Sequence, residues 1–206
     1  MKQHNHKVLL IGRGPSALLK PDFSSYDLVI RLKQCWCKNE IKNRCDILVF
    51  NADEWITHPD GEYDIFQDCY KHIDEIWYFD MFDLGSIQTK NEHMKAILNQ
   101  IKCHKICNYN INIIGKKYGF NLTKPPRFTT GMAAIIEVLR IYSDSYIDLI
   151  GFDNIVQNTN LGEFDHSERK VGWNPNGYVE IHTINMEHML LKDLVKKHEK
   201  LNVLQY

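Results

Sequence analysis

The sequence predicts an α/β fold, a single domain built on one mostly parallel sheet with helices on both faces. Three observations point there. Short β-branched apolar runs alternate along the chain with helix-like stretches, the pattern of strands joined by crossovers. The first run, Val8 to Ile11, passes directly into Gly12-Arg13-Gly14-Pro15-Ser16, as a buried strand feeds a glycine turn. The length, 206 residues, suits one domain with a sizeable core or one domain with a small lid.

The elements follow in order. After Val8–Gly12, the runs Asp27–Leu32 (DLVIRL) and Asp46–Asn51 (DILVFN) read as the second and third strands. Glu75–Asp80 (EIWYFD) and Ile111–Ile114 read as two more, and Asp64–His72 as a short helix. Asn91–Lys105 carries Met94, Ile97, Leu98 and Ile101 at helical spacing. Gly131–Tyr142 (GMAAIIEVLRIY) is the clearest helix, with Thr129 and Thr130 as cap candidates. Tyr146–Gly151 (YIDLIG) returns as a central strand. The polar segment Asn154–Val179 is long enough for a lid or an acceptor loop. Met186–Lys200 reads as a closing amphipathic helix with Leu190, Leu191, Leu194 and Val195 inward, and Leu201–Gln205 as a last strand.

Composition narrows the function classes. Lys and Arg number 25 against 26 Asp and Glu, a net charge of −1, so no basic field calls for nucleic acid or an anionic membrane. A small anionic ligand needs only a few local donors. No signal peptide and no apolar run of membrane-spanning length is present, so a cytoplasmic protein is expected. Cysteines at positions 35, 37, 45, 69, 103 and 107 form neither a disulfide framework nor a CxxC pair, and no metal site is expected.

Three segments far apart in sequence stand at strand ends, where an α/β sheet collects its ligand. They are the Gly12–Ser16 turn with Gly14, the Thr129-Thr130-Gly131 helix start, and the strand end Gly151-Phe152-Asp153. A helix beginning at Gly131 would offer amides and a partial positive charge to an anion; an ordinary N-cap accounts for the same residues. His182 emerges from the run Tyr178-Val179-Glu180-Ile181, five positions before Glu187. A histidine placed so can serve as general base near neutral pH, or simply lie at the surface. His166, within the polar segment, is a donor for a phosphate or a solvated loop residue.

In their order and spacing these pieces resemble the sialyltransferases of glycosyltransferase families 29 and 42, over most of the chain. VLLIGRGPSALL followed by YDLVIRLKQ looks like the large sialyl motif. RFTTGMAAIIEVLRIYSDSYIDLIGFD is similar to the small sialyl motif, and His182-x-x-x-x-Glu187 fits the very small motif. The GxGPS turn and the strand ending in Asn51 are closer to the bacterial family 42 enzymes. The resemblance implies a modified GT-A fold, Rossmann-like in outline. It also implies inverting, metal-independent transfer from a CMP-sugar to the hydroxyl of a glycan or glycolipid. His182 would be the general base, supported by Glu187, which could instead cap its helix. His166 or Tyr178 would face the leaving phosphate. The donor nucleotide would lie among Gly12, Gly14, Ser16, Arg31, Lys33, Asn51, Thr129, Thr130, Gly131, Gly151, Asp153 and Tyr178. Lys33 stands where the family carries Asn, and Arg13 adds a second positive charge; both leave a Kdo-like CMP-sugar open beside sialic acid. The sequence contains no Asp-x-Asp, the metal-holding pair of other GT-A enzymes.

Three rival readings remain. Gly12-x-Gly14-x-x-Ala17 also fits a dinucleotide fingerprint, but the second strand ends in Arg31-Leu32-Lys33 rather than an acidic residue, so only an NADP-dependent oxidoreductase is compatible. A flagellin-modification or pterin-diphosphokinase-like protein shares the glycine turn and lacks evident acidic metal ligands here. A non-catalytic nucleotide- or glycan-binding relative would keep the fold alone.

Overall fold

The computed structural model describes residues 6–12, 14–18, 22–32, 44–51, 73–79, 99–106, 108–117, 128–157 and 184–204. They form a seven-stranded sheet: β1 (Lys7–Ile11), β2 (Leu28–Leu32), β3 (Ile47–Asn51), β4 (Glu75–Phe79), β5 (Lys102–Lys105), β6 (Tyr146–Ile150) and β7 (Leu201–Val203). Four α-helices are described: α1 (Asn108–Lys117), α2 (Thr130–Ile141), α3 (Asp153–Gln157) and α4 (Ile184–Lys197). The strand order is β5-β4-β3-β2-β1-β6-β7, and every neighbouring pair is parallel.

The central strands β1, β3 and β6 are buried on both faces, which is why they read as continuous apolar runs. Alternate residues Val8, Leu10, Ile30, Leu32, Val49, Trp77, Phe79, Ile147 and Leu149 face α2 and α4, which contribute Met132, Ile135, Leu139, Leu190 and Leu194. The intervening residues Leu9, Ile11, Val29 and Ile150 pack with Tyr26 on the other face. Ala17 and Phe23 join them there, from 3-10 helices over Pro15–Leu18 and Phe23–Ser25.

The expected strands at 8–12, 27–32, 46–51, 75–80, 146–151 and 201–205 are present within a residue or two of their bounds. Two expectations are overturned. The tail of Asn91–Lys105, read as helix, holds strand β5, whose Lys-Cys-His-Lys pairs with β4. Ile111–Ile114, read as a strand, lies inside α1. There Ile111 is buried and Ile114 packs against the core, while Ile113 is 55% exposed. One helical face thus takes the first and last of these residues. The segment 154–179 begins as helix, its first four residues lying in α3. The rest of that segment and the expected helix at 64–72 lie outside the described residues.

The strand order reverses at β1. The chain lays β2 to β5 successively on one side of it, then returns to place β6 and β7 on the other. β1 and β6 therefore lie side by side at the point where the order reverses, and the carboxyl ends of strands at such a reversal are where α/β sheets take their ligands.

Candidate functional site

The loops after β1 and β6, at the reversal of the strand order, are stitched together. Gly12 N–H donates to Ile150 O at 2.7 Å, and Gly14 N–H to Gly151 O at 2.7 Å. Ser16 then closes the clasp. Its amide and hydroxyl both donate to Asp153 Oδ2, at 3.1 and 2.8 Å, and its Oγ accepts Gly151 N–H at 2.7 Å. A Cβ on Gly12 would collide with Gly151 O, and one on Gly14 with Asp153 Oδ2. Gly151 has φ +78°, a backbone that side-chain-bearing residues rarely adopt. Glycine is required here by the approach of two loops to each other, and the amides of Gly12 and Gly14 are spent on it.

Asp153 is 4% exposed, and only Oδ2 is engaged; Oδ1 has no hydrogen-bond partner among the described residues. An enclosed carboxylate oxygen without a donor is costly unless something supplies one.

The third part is the start of α2. Thr129 has extended backbone, and its Oγ accepts Met132 N–H at 3.1 Å, a regular N-cap. A Cβ on Gly131 would lie 3.2 Å from the Phe152 ring and 3.4 Å from Leu32, so this helix end abuts the ends of β6 and β2. The first amides of a helix have no partner within it, and those of Thr130 and Gly131 are of this kind. Thr130 is buried, and its hydroxyl has no partner among the described residues.

Glu187, in the first turn of α4, meets the same helix end. Oε1 accepts Thr129 N–H at 2.5 Å and Oε2 accepts the Thr129 hydroxyl at 2.9 Å. Burial pushes its carboxyl up to about 7, against the opposing pull of the Thr129 amide and hydroxyl. The amide, the hydroxyl hydrogen and one lone pair of Thr129 are therefore committed within the protein.

Of the residues singled out in the sequence, the structure brings together Gly12, Gly14, Ser16, Gly151 and Asp153, with Thr129, Thr130, Gly131 and Glu187 along the same sheet edge. Asn51 ends β3 at that edge. Arg31 faces away from α2. Its neighbour Leu32 packs toward that helix, whereas the Arg31 guanidinium lies 5.3 Å from the Phe23 ring and its Nε donates to Arg44 O at 3.1 Å. Arg13, Lys33, His166, Tyr178 and His182 lie outside the described residues. The mutual bonding of Ser16 and Asp153 left no local trace in the sequence, because the two are 137 positions apart. Among the described residues, no cluster of His, Cys, Asp or Glu is suited to a metal, and no helix is long and apolar enough to cross a membrane.

No protein-family model matches the chain, and no curated protein matches it by sequence. Solved structures do. The sialyltransferase CstII from Campylobacter jejuni, in complex with the substrate analogue CMP-3FNeuAc, superimposes with a TM-score of 0.57 at 17% identity, over 97% of this chain and 81% of that one. CstII with a trisaccharide acceptor and CMP gives 0.56 at 18% identity, over 96% and 80%. The monofunctional alpha-2,3-sialyltransferase Cst-I from the same organism gives 0.56 at 16%, over 99% and 77%. The parallel α/β sheet of this chain is the fold of these sialyltransferases.

Proposed function

We propose that the protein is a CMP-sugar-dependent glycosyltransferase of the sialyltransferase kind, transferring sialic acid or a related sugar to a glycan hydroxyl. The observation that carries this is the β1–β6 reversal, where the first amides of α2 and Asp153 Oδ1 have no partner among the described residues, in a fold shared with CMP-bound sialyltransferases. Amides of Thr130 and Gly131 hold the nucleotide phosphate at the positive end of α2. Asp153 Oδ1 accepts from a hydroxyl or amine of the nucleoside. The acceptor hydroxyl attacks the anomeric carbon while His182 takes its proton, and the bond from that carbon to the CMP phosphate breaks with inversion. His166 or Tyr178 donates to the departing phosphate. No metal is needed, since hydrogen bonds and a helix end offset the modest charge that CMP gains. The dinucleotide reading has less support, because the two glycine amides it would direct at a pyrophosphate already bond to Ile150 and Gly151.

The test is a thermal-shift comparison of CMP, UDP, GDP, ADP, NAD and NADP, each with and without EDTA. CMP alone should raise the melting temperature, equally in EDTA. A ligand at a hundredfold excess over its Kd adds about 2.7 kcal/mol of stability. His182→Ala should abolish transfer and leave the CMP shift in place. A shift with NADP alone would discard the reading.

A further inference from the structure

Glu187 occupies a position that an anionic ligand would also seek. It is 0% exposed, and both carboxylate oxygens are turned on Thr129, the cap of the 12-residue helix α2. The positive end of a helix favours one negative charge. One residue on, the buried Thr130 hydroxyl lacks any partner among the described residues, and the amides of Thr130 and Gly131, equally without one among them, belong to the same turn. A phosphate bound there and an ionised Glu187 would share one helix terminus at close range, with little water to screen them.

We propose that binding of a nucleotide phosphate at the Thr130–Gly131 end of α2 is coupled to proton uptake by Glu187, whose neutral form is the ligand-binding form. This rests on the donor site proposed above and names how that site is regulated. An ionised carboxylate only accepts, so it pins the Thr129 hydroxyl hydrogen to Oε2. Once protonated, Oε2–H donates to Thr129 Oγ, while Oε1 still accepts Thr129 N–H. Thr129 Oγ keeps its bond from Met132 N–H, and its own hydrogen is released to turn toward the bound anion. The negative charge beside the phosphate disappears in the same step. Both changes favour the ligand, and by linkage the ligand favours the proton to the same extent.

Among the described residues, the other charges near this helix end are engaged elsewhere. On α4, His188 Nδ1 meets Ile155 O, and Lys192, Asp193, Lys196 and Lys197 lie further along. On α2, Glu137 is engaged by Arg140 and His104; on α3, Asp153 is engaged by Ser16. Among the described residues, burial raises the proton affinity of Glu187 and the two bonds from Thr129 oppose it.

Calorimetric titration with CMP between about pH 7 and 8.5 tests the coupling, because the CMP phosphate, with a second pKa of about 6, is a dianion throughout. The wild-type Kd should rise with pH, toward tenfold per unit, the limit of one proton per ligand. Heats in buffers of different ionisation enthalpy should reveal proton uptake. Glu187→Gln keeps an acceptor for Thr129 N–H and should bind CMP with a flatter pH dependence. A histidine near the phosphate gives the same sign but persists in the variant, so the difference between the proteins is the readout. Equal slopes overturn the proposal. As a check that needs no variant, wild-type protein should take up this proton with CMP and not with cytidine; equal uptake with both overturns it. Absence of CMP binding at every pH removes the nucleotide reading itself, and the coupling with it.

Discussion

Gly14 has no room for a methyl group. Its neighbour in space is Asp153 Oδ2, the oxygen that takes both donors of Ser16. Gly14→Ala must therefore push Asp153 off Ser16 or shift the turn, at about 1–3 kcal/mol for overpacking. In a protein of this length that amounts to roughly 2–4 °C of melting temperature per kcal/mol. Asp153→Asn separates stability from binding. An amide oxygen can keep both bonds from Ser16, but the other carboxylate oxygen becomes a donor. The melting temperature of Asp153→Asn should stay near wild type while CMP affinity falls; unchanged affinity would remove Asp153 Oδ1 from the site.

Helix α2 links the carboxyl edge of the sheet, where Thr129 meets Glu187, to a second polar cluster at its far half. Glu137 is wholly buried, and Arg140 grips it with Nε on Oε2 at 3.0 Å and a terminal nitrogen on Oε1 at 2.9 Å. His104 on β5 adds Nε2 at 2.7 Å from Oε1. Burial alone would raise the Glu137 carboxyl. The bonds and charges of Arg140 and His104 override it and hold the group below 4.5, so it is ionised and His104 Nε2 is the donor. Arg140→Ala should cost about 1.5–3 kcal/mol, the scale of hydrogen bonds to a charged group. The figure lies toward the lower end because Arg140 is 42% exposed. Denaturant titration measures it, and Arg140→Lys should recover only part, since an ammonium cannot reproduce the two-point grip. None of this was legible beforehand. What could be read were elements whose own residues carry the signal: the both-faces-buried strands β1 and β3, and α2 with its threonine cap. β5 offers Lys-Cys-His-Lys, with no apolar pattern, and is a strand because β4 lends it hydrogen bonds. α1 carries isoleucines whose β-branching reads as strand, yet their spacing places Ile111 and Ile114 on one helical face. The site divided likewise. Its strand ends and glycines were visible, whereas the Ser16–Asp153 clasp and the Thr129–Glu187 bond form only when the fold joins distant segments.

At the scale of the whole molecule, α2 joins two buried carboxylates whose ionisation pulls stability in opposite directions. Glu137 is depressed below its unfolded value of 4.5. Its stabilisation is present above that pH and is lost as pH falls through the folded value. Glu187 is raised from 4.5 to about 7. The folded protein then binds the extra proton between these values, so stability falls as pH rises through the window and levels off above it. A displacement of that size corresponds to about 3 kcal/mol. Glu187→Gln should therefore flatten the descent of unfolding free energy between about pH 4.5 and 7, and Glu137→Gln should flatten the loss below about pH 4.5. The sites are separated by about 12 Å of helix from Thr129 to Glu137 and share no hydrogen-bond partner, so their effects should add. The double variant should show both segments of the curve flattened together. Denaturant midpoints across pH for the four proteins measure this directly. A descent above pH 4.5 that persists undiminished in Glu187→Gln would mean that Glu187 is ionised throughout that range. The carboxylate would then remain at the helix end beside any bound phosphate, and the fold would bear its charge without a protonic release.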